Sequence, residues 1–501
     1  MSSRIIRELM WARRKGADSA YEFLIPDCKF LIAVIVLVSA TLASHAAAPI
    51  EYRFTFPELE HRWMQVEATF PDLPDGTLEL RMSRSSPGRY ALHDFAKNVY
   101  DVHVFGRENH ELTAARPDAS GWSVSGHGGR VTVRYRVFGD VVDGTYLGID
   151  PTHAHINMPA AIMWARGLDD RPSTLTFTAP AGGRWQVATQ LHRGSGALEF
   201  TAPNLPYLMD SPVEFGPLSI RRFTVANHRF RFAVHHQGSD VELDAYVKDV
   251  EKVVQQEGAM FGEFPDFEPG EYTFLADYLP YATSDGMEHR NSSVMTEAAS
   301  IRTSRRTLLD TVAHEFFHTW NVERIRPRSI EPFDLDRANM SGELWLAEGF
   351  TQYYGPLMQQ RAGIADVRAT SQAFTEFAEA ALVSPGHAIR SAEDDSRMAV
   401  FRRSRFVDRP DELVEYLHVV LLDRRRDCAV ARPDAAPAVR RPRDAGRLHA
   451  RDVARVRETR WFTRGLRRSA VHRGRCGSAP GRGQRRSGVR ARLLRAVRSW
   501  T

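Results

Sequence analysis

The hydrophobic and polar positions change period once along this chain. From Ile50 to about Arg222 the apolar residues alternate in short runs, such as Val131-Thr132-Val133-Arg134-Tyr135-Arg136-Val137 and Thr174-Leu175-Thr176-Phe177. Gly, Pro and Asp clusters separate the runs, among them Pro71-Asp72-Leu73-Pro74-Asp75-Gly76 and Gly182-Gly183. Period-two runs between turn residues are half-buried strands, so residues 47–225 are expected to form an N-terminal all-β, sandwich-like domain. After Asn227 the spacing becomes helical. Ala245 to Phe261, Thr303 to Trp320, Gly342 to about Gln360 and Val367 to Ala380 read as helices, and Glu271 to Leu275 as a strand. In Thr303–Trp320 the apolar stripe is Leu308, Leu309, Val312 and Phe316, with Thr303 or Ser304 as the expected N-cap. The fold class is therefore α+β: the β domain, then a mainly helical domain over residues 226–402.

The N-terminus adds an address. Arg13, Arg14, Lys15 and Lys29 flank the apolar run Phe30 to Ala43, and Ser44-His45-Ala46 is a small-x-small cleavage site. Residues 1–46 read as a signal peptide with Ala47 as the mature start, and the chain as exported, periplasmic or secreted. The run is short for a membrane span, so no stable membrane insertion is expected after cleavage; an uncleaved anchor is the alternative. Of three cysteines, Cys28 lies in this segment and Cys428 and Cys476 beyond residue 402. A body without cysteine excludes a cysteine nucleophile and needs no disulfide.

The formal charge of +5 comes from arginine concentrated after residue 400. Runs such as Ala436-Pro437-Ala438-Val439-Arg440-Arg441-Pro442-Arg443 have no apolar period. A basic tail for acidic partners is one reading, but an exported chain rarely meets nucleic acid, and none is expected as a partner. Back-translated one base later, the stretches from Phe406 can be read without stops, with little arginine and with amphipathic helices. Residues 403–501 are thus expected to be an out-of-frame, disordered tail that leaves the catalytic domain incomplete, the change of frame lying near residues 402 to 406.

The chemistry sits at His314-Glu315-Phe316-Phe317-His318. On a helix, residues i and i+4 share a face, so two imidazoles there can bind one zinc ion, and the glutamate between them can take a proton from a metal-activated water. The pattern arises by chance in roughly one chain in a hundred of this length, so its helical context matters. A catalytic site needs a third protein ligand and an open position. Glu348, on the next expected helix, offers that carboxylate.

The strings HEFFHTWNVERIRP and ELWLAEGFTQYYG, with Ser86-Pro87-Gly88-Arg89-Tyr90 and His93-Asp94-Phe95-Ala96, resemble the M61 family of glycyl aminopeptidases, gluzincins related to the M1 aminopeptidases. The resemblance covers most of residues 50 to 400. It implies a thermolysin-like zinc domain, one zinc ion per chain on His314, His318 and Glu348, Glu315 as general base, and peptide substrates with a free N-terminal glycine or alanine. Gly286-Met287-Glu288-His289 resembles the G-x-M-E-N segment of the M1 enzymes, an edge strand along which substrate lies. By that resemblance Gly286, Met287 and Glu288 bind substrate, with Glu288 anchoring the amine; His289 departs from the pattern. Gluzincins commonly place a tyrosine or histidine opposite the zinc, and in the shifted frame a Ser-Tyr-Tyr-Ser segment would supply it. Gln352 is a candidate partner for a ligand histidine. Arg324 and Arg326 brace a loop or touch substrate, and His153 and His155 read as a structural pair rather than a second metal site. Three other functions remain open: an endopeptidase of the same chemistry, a zinc-binding protein without turnover, and a basic binding module acting through the tail.

Overall fold

The computed structural model describes residues 47–383 and 390–401. The expected signal peptide and the arginine-rich tail lie outside the described residues. The alternation along Val131–Phe138 becomes burial of Val131, Val133, Tyr135 and Val137, with the residues between them half-exposed. This strand pairs with Trp63–Phe70, which pairs with Ile50–Glu58. They are the middle of an eight-stranded sheet. A four-stranded and a three-stranded sheet complete the N-terminal part. One apolar core, from Ile50 to Phe215, fills the space between them.

The second part is built on a five-stranded mixed sheet, in the order Ser219–Val225, His228–His236, Tyr272–Tyr278, Ser292–Glu297, Asp285–His289. Its first strand was expected in the β domain. Seven cross-strand pairs tie it to His228–His236 instead, so the break between sheets falls between Gly216 and Ser219. The last strand, Asp285–His289, pairs only with Ser292–Glu297 and forms the sheet's edge.

Helix Asp240–Phe261 starts earlier than the apolar stripe suggested, because Ser239 and Glu242 form a reciprocal capping box that satisfies the first backbone donors. Helix Ile301–Phe317 carries the histidine motif. Its N-cap is Ser300, whose side chain accepts from the Arg302 amide, and not Thr303 or Ser304; Ser304 instead holds a non-helical φ/ψ inside the helix. Its apolar stripe lies on the sheet: the Phe316 ring packs against Phe230, Tyr272 and Phe274. Burying a side chain of this size contributes about 1.5–3 kcal/mol, which fixes the rotation of the helix and so the direction of its histidines. Helices Phe350–Arg361 and Val367–Val383 follow. The described residues from Pro49 onward belong to one compact unit. Among the described residues no helix is long and apolar enough to cross a membrane.

Candidate active site

His314 and His318 leave the motif helix on one face, and their Nε2 atoms stand 3.1 Å apart. Glu348 Oε2 lies 3.4 Å from His314 Nε2 and 3.6 Å from His318 Nε2. Tetrahedral zinc with bonds of about 2.0–2.1 Å separates its ligand atoms by roughly 3.3 Å, so the three donors already have the spacing that one such ion requires.

The far side of each imidazole is committed. His318 Nδ1 lies 2.7 Å from the Asn321 carbonyl oxygen, which can only accept, so Nδ1 carries the proton and Nε2 keeps its lone pair for a metal. His314 Nδ1 meets Gln352 Oε1 at 3.0 Å, which gives the same tautomer. Gln352 thus stands behind His314, on the ring nitrogen turned away from His318 and Glu348.

Glu348 is delivered differently from the expected regular helix. Residues Trp345–Gly349 form a single π-helical turn that passes directly into Phe350–Arg361. Such turns re-aim a side chain within a helix and concentrate at functional sites. The Tyr90 hydroxyl, from the β domain, donates to Glu348 Oε1 at 2.7 Å and leaves Oε2 for the histidines. Tyr90 was visible in the sequence only as part of the Ser86–Tyr90 string; nothing in its spacing told that it would reach a residue 258 positions away.

Two more carboxylates close the site. Ligand atoms of Glu288, Glu315 and His318 lie within 4.8 Å of one another, and all three residues are buried. Burial, reinforced by Glu288 and Glu348, raises the Glu315 carboxyl well above its usual range, although His318 opposes this. Burial would lower His318, but Glu288, Glu348 and Glu315 overcome it and push the imidazole up to about 10. Burial would likewise raise Glu348; the neighbouring histidines hold it well below its usual range instead. The cluster is short of positive charge, which is what a divalent cation provides.

The edge strand supplies Glu288 through its period of two. Gly286 and Glu288 face the motif helix: a Cβ on Gly286 would stand 2.6 Å from Glu315 Cδ. Met287 points the other way, into an apolar cluster with Leu275 and Val294. The sequence expectation that Met287 binds substrate is thus corrected for its side chain, because adjacent strand residues face opposite sides. His289 is buried and bonded to Asp210 at 2.9 Å, an anchor for the strand. The β domain presses on the same strand. Arg89 pairs with Asp285 and donates to Thr145 Oγ1 at 2.7 Å, and Gly88, with φ of 77°, would bring a Cβ to 3.1 Å from Glu288 Oε2. Arg324 spends its guanidinium on the Arg290 and Thr319 carbonyls and on Asn291, so it braces the loop after the motif. Arg326 pairs with Glu323 and Glu331.

Comparison with known proteins points to a peptidase family. Residues 51–217 match the Peptidase M61 N-terminal domain, and residues 307–420 match M61 glycyl aminopeptidase. Among solved structures, an aminopeptidase N family protein from Idiomarina loihiensis is similar over 70% of this chain and 61% of its own, at 24% identity and a TM-score of 0.65. This chain therefore spans under two thirds of that protein's length. Legionella pneumophila aminopeptidase A (13% identity, 63% of this chain and 38% of its own, TM-score 0.40) and leukotriene A4 hydrolase from Saccharomyces cerevisiae (15%, 68% and 52%, 0.38) are too distant to carry an argument. No curated protein matches.

Proposed function

The chain belongs to the M61 peptidase family, and on that premise we propose that it is an exported zinc aminopeptidase releasing small N-terminal residues, glycine foremost, from peptides. The observation that carries this reading is the approach of His314 Nε2, His318 Nε2 and Glu348 Oε2 to 3.1–3.6 Å of one another, beside the carboxylates of Glu288 and Glu315. His314, His318 and Glu348 would hold a zinc ion, which would supply a Lewis acid for water and the scissile carbonyl and the positive charge that favours ionised Glu315. Glu315 takes the proton from the attacking water and hands it to the leaving amine. Glu288 pairs with the substrate's α-ammonium, setting the N-terminus one residue from the scissile bond. The open edge of Asp285–His289 offers backbone donors and acceptors to an extended peptide. Asn321 and Gln352 hold the imidazoles, and Tyr90 holds Glu348, so that little reorganisation is needed when substrate arrives.

The experiment compares a glycyl peptide with its N-acetylated form, using the full chain before and after chelation. The free-amine peptide is cleaved, chelation abolishes the activity and zinc restores it, and acetylation removes it. Equal cleavage of the acetylated peptide would make the enzyme an endopeptidase of the same chemistry. Stoichiometric zinc with no turnover would make it a binding protein. Export is read from the sequence of residues 1–46; N-terminal sequencing of the exported protein should begin at Ala47, and a start at Met1 would contradict it.

A further inference from the structure

A second cluster of histidines and carboxylates is buried away from the site just described, where the two parts of the molecule meet. Each part contributes one cross-strand pair. From the four-stranded sheet, His155 on Ala154–Ile156 stands opposite Glu214 on Val213–Gly216. From the five-stranded sheet, His235 on His228–His236 stands opposite Asp277 on Tyr272–Tyr278. His153, just before its strand, reaches across the seam: its Nε2 lies 3.3 Å from Asp277 Oδ2, and its ring centroid 4.3 Å from that of His235. Ligand atoms of His153, His235 and Asp277 fall within 4.8 Å of one another, as do those of His155, Glu214 and Asp277, which share the aspartate. The side chains of His153, His155, Glu214 and Asp277 are fully buried.

Hydrogen bonding within the protein does not satisfy this cluster. His155 Nε2, Glu214 Oε2, His235 Nδ1 and Asp277 Oδ1 are buried without a partner. Each such atom costs about 1–3 kcal/mol, and four in one place is a large penalty for a purely structural network. The surroundings also have the form of a ligand shell. The other nitrogen of His153, Nδ1, faces Asp150 Oδ1 at 3.5 Å, and the Tyr281 hydroxyl holds Asp150 Oδ2 at 2.8 Å. A carboxylate behind an imidazole is the usual way of orienting a metal-ligating histidine.

We propose that His153, His235 and Asp277 bind a second divalent transition-metal ion of the zinc class, with the His155–Glu214 pair beside it, joining the β domain to the catalytic sheet. Imidazole nitrogen with carboxylate oxygen suits zinc and its neighbours and not calcium or magnesium. On this proposal the chain would hold two ions, where the sequence suggested one ion and a structural His153–His155 pair. The second is assigned a structural role, since His153 and Asp277 are fully buried, His235 is half-buried, and none of the three belongs to the His314, His318 and Glu348 group.

The test is the metal content of the full chain, saturated with zinc and dialysed, measured beside two double variants. The wild type should hold two ions. His314→Ala with His318→Ala should keep one, and His153→Asn with His235→Gln should keep one while retaining activity on a glycyl peptide. Anomalous diffraction from wild-type crystals at the zinc edge should give a second peak between His153 and Asp277, a result that does not depend on the variants folding. A wild type holding a single ion that only the His314/His318 variant loses, with no second peak, would overturn the proposal and leave the cluster a metal-free network of imidazoles and carboxylates. A loss of peptidase activity with both ions present would count against the proposed reaction and not against this site.

Discussion

Glu288 and Glu315 put two carboxylates within 4.8 Å of His318 in a buried corner, an arrangement that is unfavourable unless cations join them. On the proposed function, one cation is the metal and the other the substrate's ammonium. Glu288→Gln should therefore lower kcat/KM for free-amine glycyl peptides by about 10–100-fold, the worth of a hydrogen bond to a charged group, without changing the zinc content. An unchanged kcat/KM would remove Glu288 from substrate binding. Tyr90 tests the shell behind the metal. Tyr90→Phe deletes the 2.7 Å bond to Glu348 Oε1 and should weaken zinc binding by roughly 10–100-fold in competition with a chelator. Equal affinity would mean that Glu348 is held without Tyr90. At this scale the sequence told much: a spacing of four on a helix placed His314 and His318, and the neighbouring helix offered Glu348. It could not tell Tyr90 or Arg89, because contacts across 258 and 196 positions leave no local pattern.

Among the elements, the edge strand Asp285–His289 and the π turn Trp345–Gly349 do the positioning. Neither announces itself by period. The strand is five residues long, and it takes its place from pairing with Ser292–Glu297 and from Arg89 pressing on Asp285. The long helices were legible from their stripes, while the caps at Ser239 and Ser300 moved their starts by several residues. Gly286→Ala tests the close approach of strand to motif helix. Its Cβ would stand 2.6 Å from Glu315 Cδ and 3.0 Å from Cγ, so the base must move, and a misplacement of about 1 Å costs on the order of 100-fold in kcat. Activity within a few-fold of wild type would show that the strand yields instead.

Across the whole molecule, the β domain helps to build the candidate site, since Gly88, Arg89 and Tyr90 all reach residues of the second sheet or the site. The class change from alternating to helical spacing exposed both parts in the sequence. The seam between them was misplaced by one strand, because Ser219–Val225 alternates like its predecessors and only pairing decides which sheet it joins. The family match runs to residue 420 and so continues in the present frame past residues 402 to 406, where the sequence suggested a change. Our proposal that the frame changes near residues 402 to 406 predicts that a one-base correction there raises kcat by ~100–1,000-fold, the worth of one oxyanion donor. Equal rates for the two chains would contradict it. The central claim, that this chain hydrolyses peptides with Glu315 beside a metal on His314, His318 and Glu348, is tested most directly by one substitution. The rate of glycine release by zinc-loaded Glu315→Gln is compared with that of wild type at equal metal content. The rate should fall by about 100- to 10,000-fold, the worth of a positioned general base; a variant that cleaves as fast as wild type would remove Glu315 from that role.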